Sequence, residues 1–482
     1  MKTPSKEGVS IVYFCLTECY MVQAKRKDLF QGSLTKNILL FALPVMATGM
    51  LQMLFNTADL AVVGHFDGNH ALAAVGSTTA MIHLIVNLLM GLSVGASVVV
   101  AQAYGARDDD TMSKSVHTAI SVSLVAGCMV LLVGFFFGGK ILALMGTAPE
   151  VLGDATLYVK IYFIGAPVSM IYNFGAAILR AVGNTKTPLI FLSASGVINV
   201  LLNLLLVIVF DLGVAGVAVA TVTSQAVSAI LVMIYLAKRT DACRFCLRKL
   251  AFHKKELVRM IAIGLPAGLQ SSLFAISNVM IQSSVNSFQS VEIIAGNTAA
   301  MSIEGFVYIL MNSFSNAGMT FIGQTIGAER YDRVPRVARR TLLWVTIGGL
   351  VAGLLCYILR APLLSVFLKV EEGGNAVLAA SYGELRLFYI CAPYFICGVM
   401  DVLTGLLRGM GYSTLPMLIT VGGVCGLRLI WIYTVFAYFH TPEVLFISYL
   451  ISWVVTAIAQ GTLYLIMQRR LLKKNKLLIQ NA

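Results

Sequence analysis

Ile178–Phe191 reads ILRAVGNTKTPLIF, and Leu406–Ile419 reads LLRGMGYSTLPMLI. The arginines Arg180 and Arg408 and the prolines Pro188 and Pro416 share one offset, 228 residues (408 minus 180, 416 minus 188). A second pair of segments agrees. VAQAYGARDDDTMSKSVHTA from Val100 is echoed by IGQTIGAERYDRVPRVARRT from Ile322, at an offset of 222 (324 minus 102). Two halves with the same order of apolar segments in the same orientation describe a duplicated bundle, an architecture found mostly among transporters.

Composition places that bundle in a membrane. The chain is 58% hydrophobic and 12% charged, about half the charged share of a soluble globule. Its apolar stretches run to about 20 residues, enough for helices to cross the hydrocarbon core, and they lack the short alternation of an outer-membrane barrel. The expected fold is therefore an all-α polytopic membrane protein with 12 transmembrane helices in two pseudo-symmetric six-helix lobes. The expected spans are 36–64, 72–104, 115–138, 154–179, 187–210, 215–237, 258–284, 293–322, 339–359, 382–406, 415–438 and 442–468. They divide the chain into an amino-terminal segment 1–34, a first lobe 35–238, a basic linker 239–257, a second lobe 258–468 and a basic tail 469–482. Residues 1–20 read as a dispensable extension ahead of Met21.

The basic residues sort by loop. Lys25, Arg26, Lys27 and Lys36 lead into the first span, and Lys238, Arg239, Arg244, Arg248, Lys249, Lys254 and Lys255 surround the central connection. Arg330, Arg333, Arg336, Arg339 and Arg340 follow span eight, and Arg469, Arg470, Lys473, Lys474 and Lys476 form the tail, whereas the alternate loops hold chiefly Lys140, Arg360 and Lys369. By the positive-inside rule both termini are cytoplasmic. The net charge of +13 is then a topology signal, and no nucleic-acid partner is expected. The nine cysteines are scattered, which implies no disulfide framework; Cys243 and Cys246 form a lone CxxC that reads as a reduced loop rather than a zinc site. No GxxxxGK[ST] motif is present, so uphill transport would draw on an ion gradient. No HExxH, and no GxSxG with a partner base, lies within the spans either.

Ionisable residues inside a bilayer cost about 2.5 to 3.5 kcal/mol each on insertion scales and tend to carry function. Asp59, His83, Glu304, Asp401 and Arg428 lie well inside the spans, while Lys160, Glu384 and Arg386 fall near outer ends where they can snorkel or pair. His83 reads as a packed core residue. Asp59 has Asn56 about one turn before it, and Asn199 and Asn203 of span five share a face at i, i+4. With the hydroxyl of Thr221 from span six these groups form a hard-oxygen cage suited to Na⁺. The same carboxylate can instead carry H⁺, because burial penalises its charged form. A structural Asp satisfied by amides is the other reading. Pro44 removes a hydrogen bond from the first helix and suggests a hinge.

The second lobe has no acid matching Asp59; its seventh span offers Gln270 and Asn278. Counting helical rise places Arg428 near the depth of Glu304 and within reach of Glu304 or Asp401. It reads as half of a structural ion pair or as a substrate group. The acid left unpaired, Glu304 first, would face a cationic substrate.

The chain resembles the multidrug and toxic compound extrusion (MATE) transporters from about Leu34 to Arg470. FALPVMATGMLQMLFNTADLAVVGHF in span one, the two Q-x-x-GA loops, LRAVGNTKTP with LRGMGYSTLP, and INVLLNLLLVIVFDLGVAGVAVATVTSQ through spans five and six carry the resemblance. It implies a V-shaped pair of lobes alternating between inward and outward openings in the inner membrane, as a monomer. Such a protein exports amphipathic, often cationic drugs in exchange for Na⁺ or H⁺, with no further cofactor. Pro44 and Asp59 look like the family's first-helix proline and acid, Asn173 and Asn199 like its first-lobe amides, and Thr221 like its sixth-helix hydroxyl. Asn203 stands where some members carry a second acid, Phe55 where they carry a tyrosine, and Gln270 where another branch carries a glutamate. Asp401 near Arg408 looks like an acid that recurs in some bacterial members. A flippase for lipid-linked saccharides is the alternative; twelve spans and an acid-bearing interior favour cationic cargo over it.

Overall fold

The repeated stretches end one helix and begin the next in the same way. In a computed structural model, Gly183 N–H donates to Arg180 O at 2.8 Å and Asn184 N–H to Leu179 O at 2.9 Å; in the second half Gly411 N–H reaches Arg408 O at 2.8 Å and Tyr412 N–H reaches Leu407 O at 3.0 Å. Both glycines are left-handed, with φ of +85° and +95°, a helix-ending geometry that a Cβ would strain. Pro188 and Pro416 then fall in the first turn of the following helices, where a missing N–H costs nothing.

The structure describes residues 32–66, 68–368 and 375–480. The extension 1–20, Lys25, Arg26, Lys27 and Lys369 lie outside the described residues, as do the side chains of Lys474 and Lys476. Helices follow in order: α1 Leu34–Phe66, α2 Gly68–Ala106, α3 Asp109–Leu144, α4 Pro149–Ile164, α5 Ala166–Ala181, α6 Lys186–Leu204 and α7 Gly213–Lys238. The second half contains α8 Lys254–Asn286, α9 Val291–Gly327, α10 Val334–Ile358, α11 Arg360–Phe367, α12 Asn375–Ile390, α13 Tyr394–Gly409, α14 Thr414–Thr420, α15 Leu427–Trp431, α16 Ala437–Phe439 and α17 Pro442–Gln480. Among the described residues ten helices are long and apolar enough to cross a bilayer, and two bent pairs bring the number to twelve.

The bent pairs are equivalent in the repeat. Span four bends by 49° between α4 and α5, and span ten by 46° between α12 and α13. Each bend coincides with an Ala-Pro dipeptide, Ala166-Pro167 and Ala392-Pro393, and proline removes the hydrogen bond that would carry the helix through. Spans five and eleven share a second irregularity. Span five passes into a π segment at Leu205–Val209, and span eleven contains π segments at Val421–Gly426 and Ile432–Phe436.

The chain forms two compact units, residues 51–79 with 108–257, and residues 32–50 and 80–107 with 258–480. The linker thus belongs with the first unit, while the start of α1 and the end of α2 belong with the second. Small residues explain the second grouping. Gly91 and Gly95 of α2 meet Gly264 and Gly268 of α8 so closely that a Cβ at Gly268 would stand 1.9 Å from Leu88 O, and one at Gly91 2.1 Å from Gly268 N. These are two small-xxx-small stripes in direct backbone contact. The duplicated Q-x-x-G loops also dock on each other: a Cβ at Gly105 would lie 2.1 Å from Gln324 O, and one at Gly327 1.9 Å from Gln102 O. Gln102 Nε2 adds a bond to Gly409 O at 3.0 Å.

In the first unit the linker is fastened to α3. Cys246 N–H donates to His117 Nε2 at 3.0 Å, His253 N–H to Thr118 Oγ1 at 3.1 Å, and Ser121 Oγ to Ala251 O at 3.3 Å. Phe245 stacks on the His117 ring at 5.7 Å, and Arg239 pairs with Asp241.

Candidate functional site

The interior of the first unit is organised by one close approach. Gly196 of α6 lies against the Phe55 ring, 1.9 Å from where a Cβ would stand. Phe55 and Asp59 sit one turn apart on α1, and Gly196, Asn199 and Asn203 follow one face of α6. Packing of ring on glycine therefore brings the carboxylate to the amides. Asn203 Nδ2 donates to Asp59 Oδ1 at 2.5 Å, and Thr221 Oγ1 of α7 donates to Asp59 Oδ2 at 3.2 Å. Asn203 Nδ2 also approaches Asn199 Oδ1 at 3.5 Å. Asp59 is 8% exposed and Asn203 fully buried.

Two details give the site its chemistry. The Thr221 hydroxyl also bonds Val217 O at 2.9 Å, and with a single proton it cannot satisfy both acceptors at once. Among the described residues no donor reaches the buried Asn203 Oδ1. A carboxylate, two amide oxygens and a hydroxyl thus converge with an acceptor left over, a set that fits a hard cation or a proton on the carboxylate.

Asn173 does not join this group. Its Nδ2 donates to Ser169 O at 2.8 Å, one turn back on α5, because a helical amide finds that carbonyl without crossing to another helix. Pro44 lies inside α1, which runs unbroken from Leu34 to Phe66; Thr48 Oγ1 donates to Pro44 O at 2.7 Å. Pro44 and Asp59 occupy one helix on opposite sides of the boundary between the two units at residues 50 and 51. Tyr158 and Tyr162, whose rings stack at 6.1 Å, are near enough to feel the Asp59 charge and were not singled out in the sequence.

The second unit corrects the expectation that Glu304 is the unpaired acid. Its partner is Arg386, not Arg428: Nε and one terminal nitrogen meet the two carboxylate oxygens at 2.7 and 2.8 Å, and the other terminal nitrogen meets Asn297 Oδ1 at 2.5 Å. Arg386 is 2% exposed rather than snorkelled, so Glu304 is not a free counter-charge. Linear depth counting fails there because α12 precedes the bend of span ten and packs on α9. Glu384, near the same outer end, also pairs, accepting from Arg360 Nε at 2.9 Å. Gln270 Oε1 accepts from Arg408 at 2.8 Å, Asp401 is half-buried and Asn278 exposed. Arg428 bonds Ser452 Oγ at 3.0 Å and lies 3.9 Å from the Tyr449 ring centroid. Among the described residues no group of three or more His, Cys, Asp or Glu side chains is placed to hold a metal ion.

Two repeated six-span halves, each with a polar interior, define a membrane transporter. The MatE family profile matches residues 44–205 and 266–434, and the chain belongs to that family. It is 29% identical over 406 residues to the probable multidrug resistance protein YoeA of Bacillus subtilis, covering 82% of this chain and 86% of the relative. It is 24% identical over 414 residues to the probable multidrug resistance protein NorM of Thermotoga maritima, covering 84% and 86%. Among solved structures, an outward-facing multidrug resistance MATE family transporter of the MOP superfamily superposes with a TM-score of 0.86 at 21% identity, covering 93% of this chain and 99% of that one. The fold is therefore that of a twelve-span MATE transporter.

Proposed function

We propose that this protein is a secondary active efflux transporter that exports amphipathic, often cationic compounds in exchange for Na⁺ or H⁺ by alternating access, with Asp59 as the coupling group. The observation that carries the reading is the buried, unfilled acceptor Asn203 Oδ1 beside a carboxylate already met by Asn203 Nδ2 and Thr221 Oγ1. Na⁺ would take oxygens of Asp59, Asn199, Asn203 and Thr221. A proton on Asp59 would turn the carboxylate into a donor for the unfilled acceptor. Either ion neutralises the acid, and the cation and the drug must favour different conformations for exchange to be driven. The names of the relatives support small-molecule cargo, and the loop charges support cytoplasmic termini.

The test is ethidium efflux from vesicles carrying the wild type or Asp59→Asn, with Na⁺ and pH gradients imposed separately. Efflux driven by one gradient and lost in the variant names the ion. Gradient-driven efflux that survives in Asp59→Asn refutes the assignment.

A further inference from the structure

The second unit holds more interior positive charge than its acids answer. Glu304 is engaged through both oxygens by Arg386, and Arg408, two turns along α13 from Asp401, donates to Gln270. Arg428, 4% exposed, has no carboxylate partner among the described residues. Stacking on Tyr449 offsets part of its desolvation, but a buried charge without a counter-ion still carries a large penalty.

Three observations turn this excess toward a ligand. Among the described residues, neither terminal nitrogen of Arg428 donates to an acceptor, and neither is sealed off, as Arg408 Nε is. Cys425, one turn before Arg428 and beside it, has the buried Ser277 of α8 as a side-chain hydrogen-bond neighbour and reaches Leu273 O at 3.6 Å, so α8 lies against the turn that carries the arginine. Finally, Arg428 sits between two π segments, irregularities that recur at functional sites. By the 228-residue offset (428 minus 200) it occupies the register of Val200, between Asn199 and Asn203, in the other half.

We propose that Arg428, oriented by Ser452, forms a subsite for the carboxylate of an amphipathic solute. This deepens the transport reading and rests on it. One carboxylate matches the planar fork of a guanidinium and evens the count of three arginines, Arg386, Arg408 and Arg428, against two acids, Glu304 and Asp401. Tyr449, Trp453 and Tyr394, with ring centroids 5.8 and 5.2 Å apart in successive pairs, supply an aromatic wall for the apolar body.

The test is fluorescence anisotropy of the full chain in nanodiscs with rhodamine B, which carries a free carboxylate, and with rhodamine B ethyl ester, which does not. The wild type should prefer the acid, and Arg428→Gln should lower the acid-over-ester affinity ratio by about tenfold, the scale of one charge-assisted hydrogen bond, with Arg428→Lys recovering part of it. A wild type that binds the ester and prefers it overturns the subsite and leaves the transport reading standing. So does an unchanged ratio in Arg428→Gln. Binding of neither dye by the wild type sinks the transport reading and the subsite together.

Discussion

The two halves share a bent fourth span, a π-disturbed fifth span and the same helix-ending arginine motif, yet they use their interiors oppositely. The first unit gathers a single carboxylate, two amides and a hydroxyl, and leaves an acceptor unfilled. The second gathers guanidinium groups, spends one acid on a complete two-oxygen pair, and leaves a guanidinium without a carboxylate among the described residues. Duplication has conserved the scaffold while the charges diverged. An ion pair of matched partners is a fastening; an unmatched group is available to something that arrives.

That contrast can be broken most directly at the two acids. Glu304→Gln strands the buried Arg386 charge and should destabilise the protein by about 3 to 5 kcal/mol, read as a lowered melting temperature in detergent. Asp59→Asn keeps a side chain able to bond Asn203 and Thr221, and should cost no more than about 1 kcal/mol while abolishing coupled efflux. Equal losses of stability at both positions would make Asp59 a structural residue. A loss of stability smaller than that of Glu304→Gln is expected where the second unit closes on backbone. Gly268→Val would drive side-chain atoms into Leu88 O and should cost about 1 to 3 kcal/mol, visible in the same melting experiment; an unchanged melting temperature would mean that α2 and α8 do not pack as described.

The smallest effect belongs to the linker. Burial raises the Asp241 carboxyl, but the Arg239 hydrogen bond and charge outweigh it and hold the group below its ordinary value of 3.8. A depressed carboxylate stabilises the fold above its unfolded value and loses that contribution as pH falls through the folded one. Asp241→Asn should therefore destabilise the fold slightly at neutral pH, by no more than about 1 kcal/mol, read as a small drop in melting temperature, with the difference from wild type vanishing only in acid below about pH 4. A difference that instead grows on acidification would contradict the pairing.

Much of this was legible in the sequence. The repeated motifs and apolar runs give twelve spans, and the i, i+4 amides of span five with Thr221 give the surroundings of Asp59, because helical spacing alone decides which side chains share a face. Two kinds of feature were not. The bends of spans four and ten had a signal in Ala166-Pro167 and Ala392-Pro393 that hydropathy does not register. The partner of Glu304 had none: Arg386 lies 82 positions away, and only the packing of α12 on α9 selects it over Arg428. Asn173 was expected in the cation site by likeness to other chains, but its nearest acceptor is local.

The clasp between the central connection and α3 sets where this chain tolerates being divided. His117, Thr118 and Ser121 hold Cys246, Ala251 and His253, so the connection is a flap sewn to the first half rather than a loose rope between two. A pair of half-genes meant to reassemble in one membrane should be separated after His253, leaving the first fragment its own hem; a cut beside Thr240 would hand that hem to the wrong piece.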